Sequence, residues 1–158
     1  MSANATLILD AMPAFLNGLY DPIPVIIRRG SPGPDPSSPL AGWKPGDPTT
    51  CFVVSCNEQE PVDEGLGSFE EIYVSYTLSI AYVKPSMMEP GKWSEDPDIR
   101  EKRQTVRDNI YKPRFPAVSG VFNVDYKSGP VYEVLENQPP LIVSVMRPTF
   151  YTHEPRGF

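Results

Sequence analysis

The residues able to do chemistry are few and scattered. The single histidine, His153, has no cysteine or serine pattern near it to activate. General acid–base work needs a partner within hydrogen-bond reach, so an exposed or docked ring is the preferred reading of this side chain. Cys51 and Cys56 sit in Cys51-Phe52-Val53-Val54-Ser55-Cys56, which reads as a strand. A separation of five puts them on opposite faces, about 16–17 Å apart at ~3.3 Å per residue, too far for a disulfide. Nor is this the C-x-x-C spacing of zinc and redox sites. Ordinary buried or half-buried thiols in a reducing compartment are expected. The acidic segment with Glu58, Glu60, Asp63, Glu64, Glu70 and Glu71 offers oxygens to a hard cation. It lacks the D-x-D-x-D-G order of a calcium loop, and a solvated loop is preferred. Gly65-Leu66-Gly67 is a flexible turn, because a strand follows it where a dinucleotide fingerprint needs a helix. No catalytic residue, cofactor site or metal ligand is assigned.

Arg100, Arg103 and Arg107 follow i, i+3, i+7 and share one helix face. They could be a solvated shoulder whose methylenes cover the core edge. They could equally make an electrostatic contact with an acidic partner, such as Glu70 and Glu71 of an identical neighbour.

These groups need elements to place them. Ile8, Ala11, Met12, Phe15 and Leu19 form a helical stripe, with Pro13 either in a first turn begun near Asp10 or at a kink. Val25 to Gly30 reads as a short strand. From 30 to 50 six prolines exclude a helix or an inner strand. This segment is expected to project as an arm or hairpin tip, with Leu40 and Trp43 docking onto something. A strand 51–56 follows, then the acidic loop. Ile72, Val74, Tyr76, Leu78, Ile80 and Tyr82 alternate with smaller residues, which gives a long strand with one apolar face and predicts a sheet covered on one side. Asp96 or Asp98 can cap a helix with Pro97 in its first turn, and Asp98 with Glu101 resembles a capping box. Ile99, Val106 and Ile110 make its apolar stripe. Val121–Tyr126 and Val131–Leu135 read as a hairpin about Lys127-Ser128-Gly129-Pro130, and Leu141–Phe150 as a last strand broken late by Pro148. The expected fold is α+β: a mostly antiparallel sheet packed by one or two helices, with a long Pro-rich projecting loop.

The 158 residues fit one domain with an extended tail at 148–158, and 40% hydrophobic content suits a folded chain. A net charge of −6 argues against nucleic-acid binding over the whole surface. No apolar run reaches the roughly 20 residues of a spanning helix. A signal peptide is not expected, since a basic n-region is missing and Asp10 and Pro13 interrupt the first apolar stretch. The sequon Asn4-Ala5-Thr6 is then a chance match.

The N-terminal helix, the loop 30–50, the long strand Glu71–Val83, the helix Asp98–Tyr111 and the closing strands together resemble the tail-terminator and neck proteins of tailed bacteriophages. The segment 71–112 is the nearest match. The Pro-rich insert 30–50 and the residues after Phe150 depart from that layout. The resemblance implies a non-enzymatic virion subunit, assembled in the host cytoplasm into a ring, commonly six-fold. Such a ring caps the tail tube, meets head-completion or neck proteins and lets DNA pass without binding it. An acidic chain suits that passage. Leu40, Trp43, Arg100, Arg103, Arg107, Glu70 and Glu71 are the residues expected at subunit contacts. Two other readings compete. One is a soluble adaptor or small-ligand-binding domain that uses the 72–83 sheet face. The other is a metal-assisted hydrolase built on the acidic loop.

Overall fold

Alternation through 72–83 sets the architecture. A computed structural model describes residues 3–20, 23–31, 33–61, 71–111 and 121–155. The chain runs α1 (Ala3–Asn17), β1 (Val25–Ile27), β2 (Cys51–Pro61), β3 (Glu71–Pro85), a 3-10 turn (Trp93–Glu95), α2 (Pro97–Ile110), β4 (Val121–Val134) and β5 (Leu141–Pro155). The five strands form one sheet in the order β1-β2-β3-β5-β4. Only β1 and β2 are parallel. The fold is α+β, a mostly antiparallel sheet packed by helices.

Each face of the sheet has its own core. Val74, Tyr76, Leu78, Ile80 and Tyr82 of β3 point to one side with Phe52, Val54, Ile142, Met146 and Phe150. Both helices cover that side. From α1 come Ala5, Ile8, Leu9, Met12 and Leu16, and from α2 come Ile99, Val106 and Ile110. The α1 stripe is thus rotated slightly from the expected one: Ala11, Phe15 and Leu19 flank it. Pro13 is interior to a helix that begins at Ala3. For α2, Asp96 is the cap, accepting from the Asp98 amide at 2.9 Å, and Pro97 takes the first turn. Asp98 is committed elsewhere, so no capping box with Glu101 is needed.

The other face carries Cys51, Val53, Ala81, Val83, Leu141, Val143 and Val145. The proline-rich segment covers it, which corrects the expectation of a projecting arm. Gly33 and Pro34 are buried, and Leu40 and Trp43 pack onto this second core. An apolar sheet face left open to water would be unfavourable, and no helix is available on this side. Arg28 fastens the segment: Nε donates to Gly42 O at 2.7 Å and Nη2 to Asp47 Oδ2 at 2.6 Å. Gly42, at φ +85°, passes so close that a Cβ there would lie 3.1 Å from Val53 Cγ1. The Trp43 indole N–H donates to Pro48 O at 2.9 Å. Arg28→Ala is expected to lower unfolding stability by about 1.5–3 kcal/mol, the range for hydrogen bonds to charged groups. Urea denaturation measures the loss, and limited proteolysis should open at 33–48. An unchanged midpoint with intact 33–48 would refute this fastening.

Two further expectations are corrected. Residues 121–134 form one strand, not a hairpin. Lys127-Ser128-Gly129-Pro130 is a bulge, with the register to β5 shifting between Ser128 and Val131. Gly and Pro signal a bulge as readily as a turn on an edge strand, where a missing N–H breaks no ladder bond. The hairpin turn lies at 135–140 instead. The last strand does not stop at Phe150 but continues to Pro155. Cα pairing with β3 lapses between Met146 and Thr149 and resumes in the same register. The lapse falls beside the β2 irregularity at Cys56/Glu58 and within two residues of the β4 bulge. Irregularities in three strands therefore line up across the sheet.

Candidate functional site

Among the described residues, a dense group of ionisable side chains lies where α2 meets β3. Lys84 Nζ is 3.0 Å from Asp96 Oδ2 and 3.2 Å from Asp98 Oδ2, and Lys102 Nζ is 2.8 Å from Asp98 Oδ1. Tyr82 donates its hydroxyl to Asp98 Oδ2 at 2.6 Å. The Lys102 ammonium also stands over the Tyr20 ring, 4.6 Å from its centroid, while Tyr20 donates to Lys102 O at 2.9 Å. Lys102 is only 7% exposed. Partial burial alone would raise the Asp98 carboxyl, but hydrogen bonds from Lys102, Tyr82 and Lys84 outweigh it and bring it to about 2. Burial, reinforced by the Asp98 charge, pushes the Tyr82 hydroxyl up and keeps it protonated. Two cations and two anions satisfy one another here. The cluster clamps α2 to the sheet and presents no activated base.

The other reactive candidates are equally quiet. Cys51 is buried in the second core, and Cys56 packs on the first. Neither forms a disulfide, and they lie on opposite faces, as their spacing predicts. Burial, with a contribution from the Asp47 charge, pushes the Cys51 thiol up to about 11 and disfavours its thiolate. Among the described residues no three His, Cys, Asp or Glu side chains gather as a metal site. Of the acidic segment, 62–70 (with Glu70 and Gly65-Leu66-Gly67) lies outside the described residues. Glu71 begins β3 opposite Pro155, and its side chain is outside the description too.

The arginine triad is divided by the fold. Arg103 belongs to the chain's own structure: Nη1 donates to Ser144 Oγ at 2.7 Å and to Val145 O at 3.2 Å, and Nη2 donates to Gly129 O at 2.7 Å. It holds the β4 bulge against β5, which corrects its assignment as a free contact residue. Arg100 and Arg107 are exposed beside it, Arg107 with a 3.2 Å ion pair to Asp108. Leu40 and Trp43 are spent on the second core. Gly129 also passes close to β5: a Cβ there would lie 2.9 Å from Val145 O. Gly129→Ala is therefore expected to cost about 1–3 kcal/mol through overpacking. A chemical-denaturation midpoint equal to the parent's would contradict that reading.

One surface escaped sequence reasoning. Beyond the proline-rich cover, the same sheet face ends in aromatic rings. Tyr73 pairs across strands with His153, their ring centroids 4.5 Å apart. Phe122 of β4 stands edge-on to His153 at 4.5 Å, and 5.1 Å from Tyr73. Tyr151 lies 6.4 Å from Phe122 and donates to Asp125 Oδ2 at 3.2 Å. Phe122 is 50% exposed. His153 is thus a docked ring in an aromatic patch. The only sequence signal was a phenylalanine out of phase in 121–126, and the register of β3 against β5 was needed to find its neighbours. By contrast, the apolar face of 72–83 is filled by the chain's own helices, so that face is closed to an adaptor's ligand.

No helix among the described residues is long and apolar enough to cross a membrane. No family model matches the chain, and no curated protein matches it.

Proposed function

We propose that the chain is a non-enzymatic structural subunit of a tailed-phage virion, a tail-terminator or neck-ring protein that caps the tail tube and meets the head-completion proteins. The observation that carries this reading is the aromatic end of the sheet. Phe122, Tyr73, Tyr151 and His153 form a rigid patch with its leading ring half in water. Large aromatic groups of low conformational entropy are what protein interfaces collect. The order of helix, long strand, helix and closing strands is the part of the layout on which the resemblance rests; the loop 30–50, also part of it, lies on the sheet rather than projecting. In a ring, one surface of each copy meets a different surface of the next, and the aromatic end is one half of such a contact. With Arg103, Leu40 and Trp43 occupied internally, Arg100 and Arg107 remain as contact candidates from the earlier set, and Glu70 and the Glu71 side chain lie outside the described residues. DNA would pass through the lumen past a chain of net charge −6.

The test is sedimentation of a source lysate on a density gradient, with detection by peptide mass spectrometry. Co-sedimentation with large particles, at a few copies per particle, is expected. Recovery only at low mass would sink the virion reading.

A further inference from the structure

Among the described residues, a pocket that gathers charge of a single sign lies on the helix side of the sheet, between α2 and the β4 bulge. We propose that it is a phosphate-binding site for a small ligand of the nucleoside diphosphate class.

Three guanidinium groups line it, from Arg100, Arg103 and Arg107, in a space of about 330 Å³. That volume suits a small ligand rather than a single ion. The Trp93 indole forms part of the wall, and Ser128 and Gln104 add neutral polar groups. Arg103 is held in place by its three acceptors on β4 and β5, so it supplies a fixed positive charge before any ligand arrives and leaves the forked contacts to Arg100 and Arg107. Arg100 and Arg107 sit one turn on either side of it, exposed and able to close over an anion. The nearby acids are weak competitors. Asp108 reaches Arg107 at 3.2 Å with both side chains 54% exposed, a geometry that contributes little. Glu101 lies on the outer side of α2 with Arg100.

Three like charges in one pocket repel one another, and in a chain with 14 basic and 20 acidic residues they are not a by-product of composition. A dianionic or trianionic group relieves that repulsion better than a lone carboxylate. Guanidinium forks match phosphate oxygens in bidentate pairs. The indole gives a ring on the ligand an apolar and π surface to lie against. The site is on the sheet side opposite the aromatic end, so it is tested apart from that contact, although it claims Arg100 and Arg107, which the ring reading also holds as contact candidates.

The experiment is calorimetric titration of the full chain at low salt with ADP, inorganic pyrophosphate and adenosine, with light scattering on the same samples. ADP is expected to bind best, pyrophosphate more weakly and adenosine least. The double variant Arg100→Ala/Arg107→Ala should weaken ADP at least about 10-fold while its thermal unfolding stays that of the parent. A monomer that binds ADP in this order supports the pocket even as it counts against the ring. Absence of heat with both ADP and pyrophosphate overturns the proposal, and so does a double variant that binds like the parent. Equal affinity for pyrophosphate and ADP removes the ring contact and with it the nucleotide class. Binding of a short DNA duplex without binding of ADP reassigns the patch to a nucleic-acid backbone and overturns the small-ligand site.

Discussion

Asp98→Ala is expected to destabilise the fold by roughly 3 kcal/mol, the low end of the range for removing one partner of a buried ion pair. The low end applies because Asp98 keeps 35% of its side chain exposed, whereas Lys84 and Lys102 keep 11% and 8%. Removing the carboxylate leaves Lys102 buried with no anion and Lys84 with Asp96 alone. Tyr82 loses its acceptor as well. Asp98→Asn keeps the volume but not the charge, and should recover only part of the loss. Acid does the same experiment without mutation. The folded-state Asp98 carboxyl is depressed to about 2, below its unfolded value near 3.9. Its contribution is therefore complete above pH 4 and is lost as pH falls from there toward 2. After discounting for exposure this amounts to about 1–2 kcal/mol. Urea denaturation between pH 2 and 6 measures it. In Asp98→Ala that segment of the pH profile should flatten; a profile parallel to the parent's would refute the assignment.

The second large effect falls on assembly. If the aromatic end is a subunit contact, Phe122→Asp should dissociate the particle to monomers. Truncating a central interface aromatic costs at least about 2 kcal/mol per contact, some 30-fold in dissociation constant, and a new buried carboxylate adds to that. Monomer stability should fall by only about 1–2 kcal/mol, from the lost contacts with His153 and Tyr73, because the ring is half exposed. Met87→Asp, at an exposed position 78% accessible, is the control and should leave the mass unchanged. Light scattering reads both. A parent chain that is already monomeric at high concentration removes the ring reading, and an assembled Phe122→Asp variant removes this surface from it.

The sequence made some of this legible because the signals were local. Alternation through 72–83 identified β3 and its buried face, and Asp96-Pro97 marked the start of α2. Spacing alone separated the two cysteines. The failures were of two kinds. Where one signal serves two geometries, local reading cannot choose: Lys127-Ser128-Gly129-Pro130 suits a turn and an edge bulge alike, and Pro148 looks like a strand break although the ladder merely lapses there. Where an effect is made between distant elements, no window contains it. Leu40 and Trp43 were legible as docking groups, but the surface they dock on is built from β2, β3 and β5 of the same chain. Lys102 lies on the stripe of Ile99, Val106 and Ile110, a charge in an apolar slot; its anion, Asp98, is one turn away, but the Tyr20 and Tyr82 rings it stands over come from elsewhere in the chain. Arg103 kept the helical spacing of a surface triad while its guanidinium was committed to Ser144, Val145 and Gly129. The aromatic end depends on residues of three strands meeting in register.

The aligned irregularities at Cys56/Glu58, Met146–Thr149 and Ser128/Val131 have a mechanical meaning. A bulge bends its strand and tightens the local twist, and irregularities side by side act as a crease. On one side of the crease lie the strand ends clamped by Lys84, Asp96 and Arg28, under the proline-rich cover. On the other side lies the lever that carries Tyr73, Phe122 and His153. Load applied to the aromatic end is then taken up first along this line, where interstrand pairing is sparsest, before it reaches the strand ends held by the clamp.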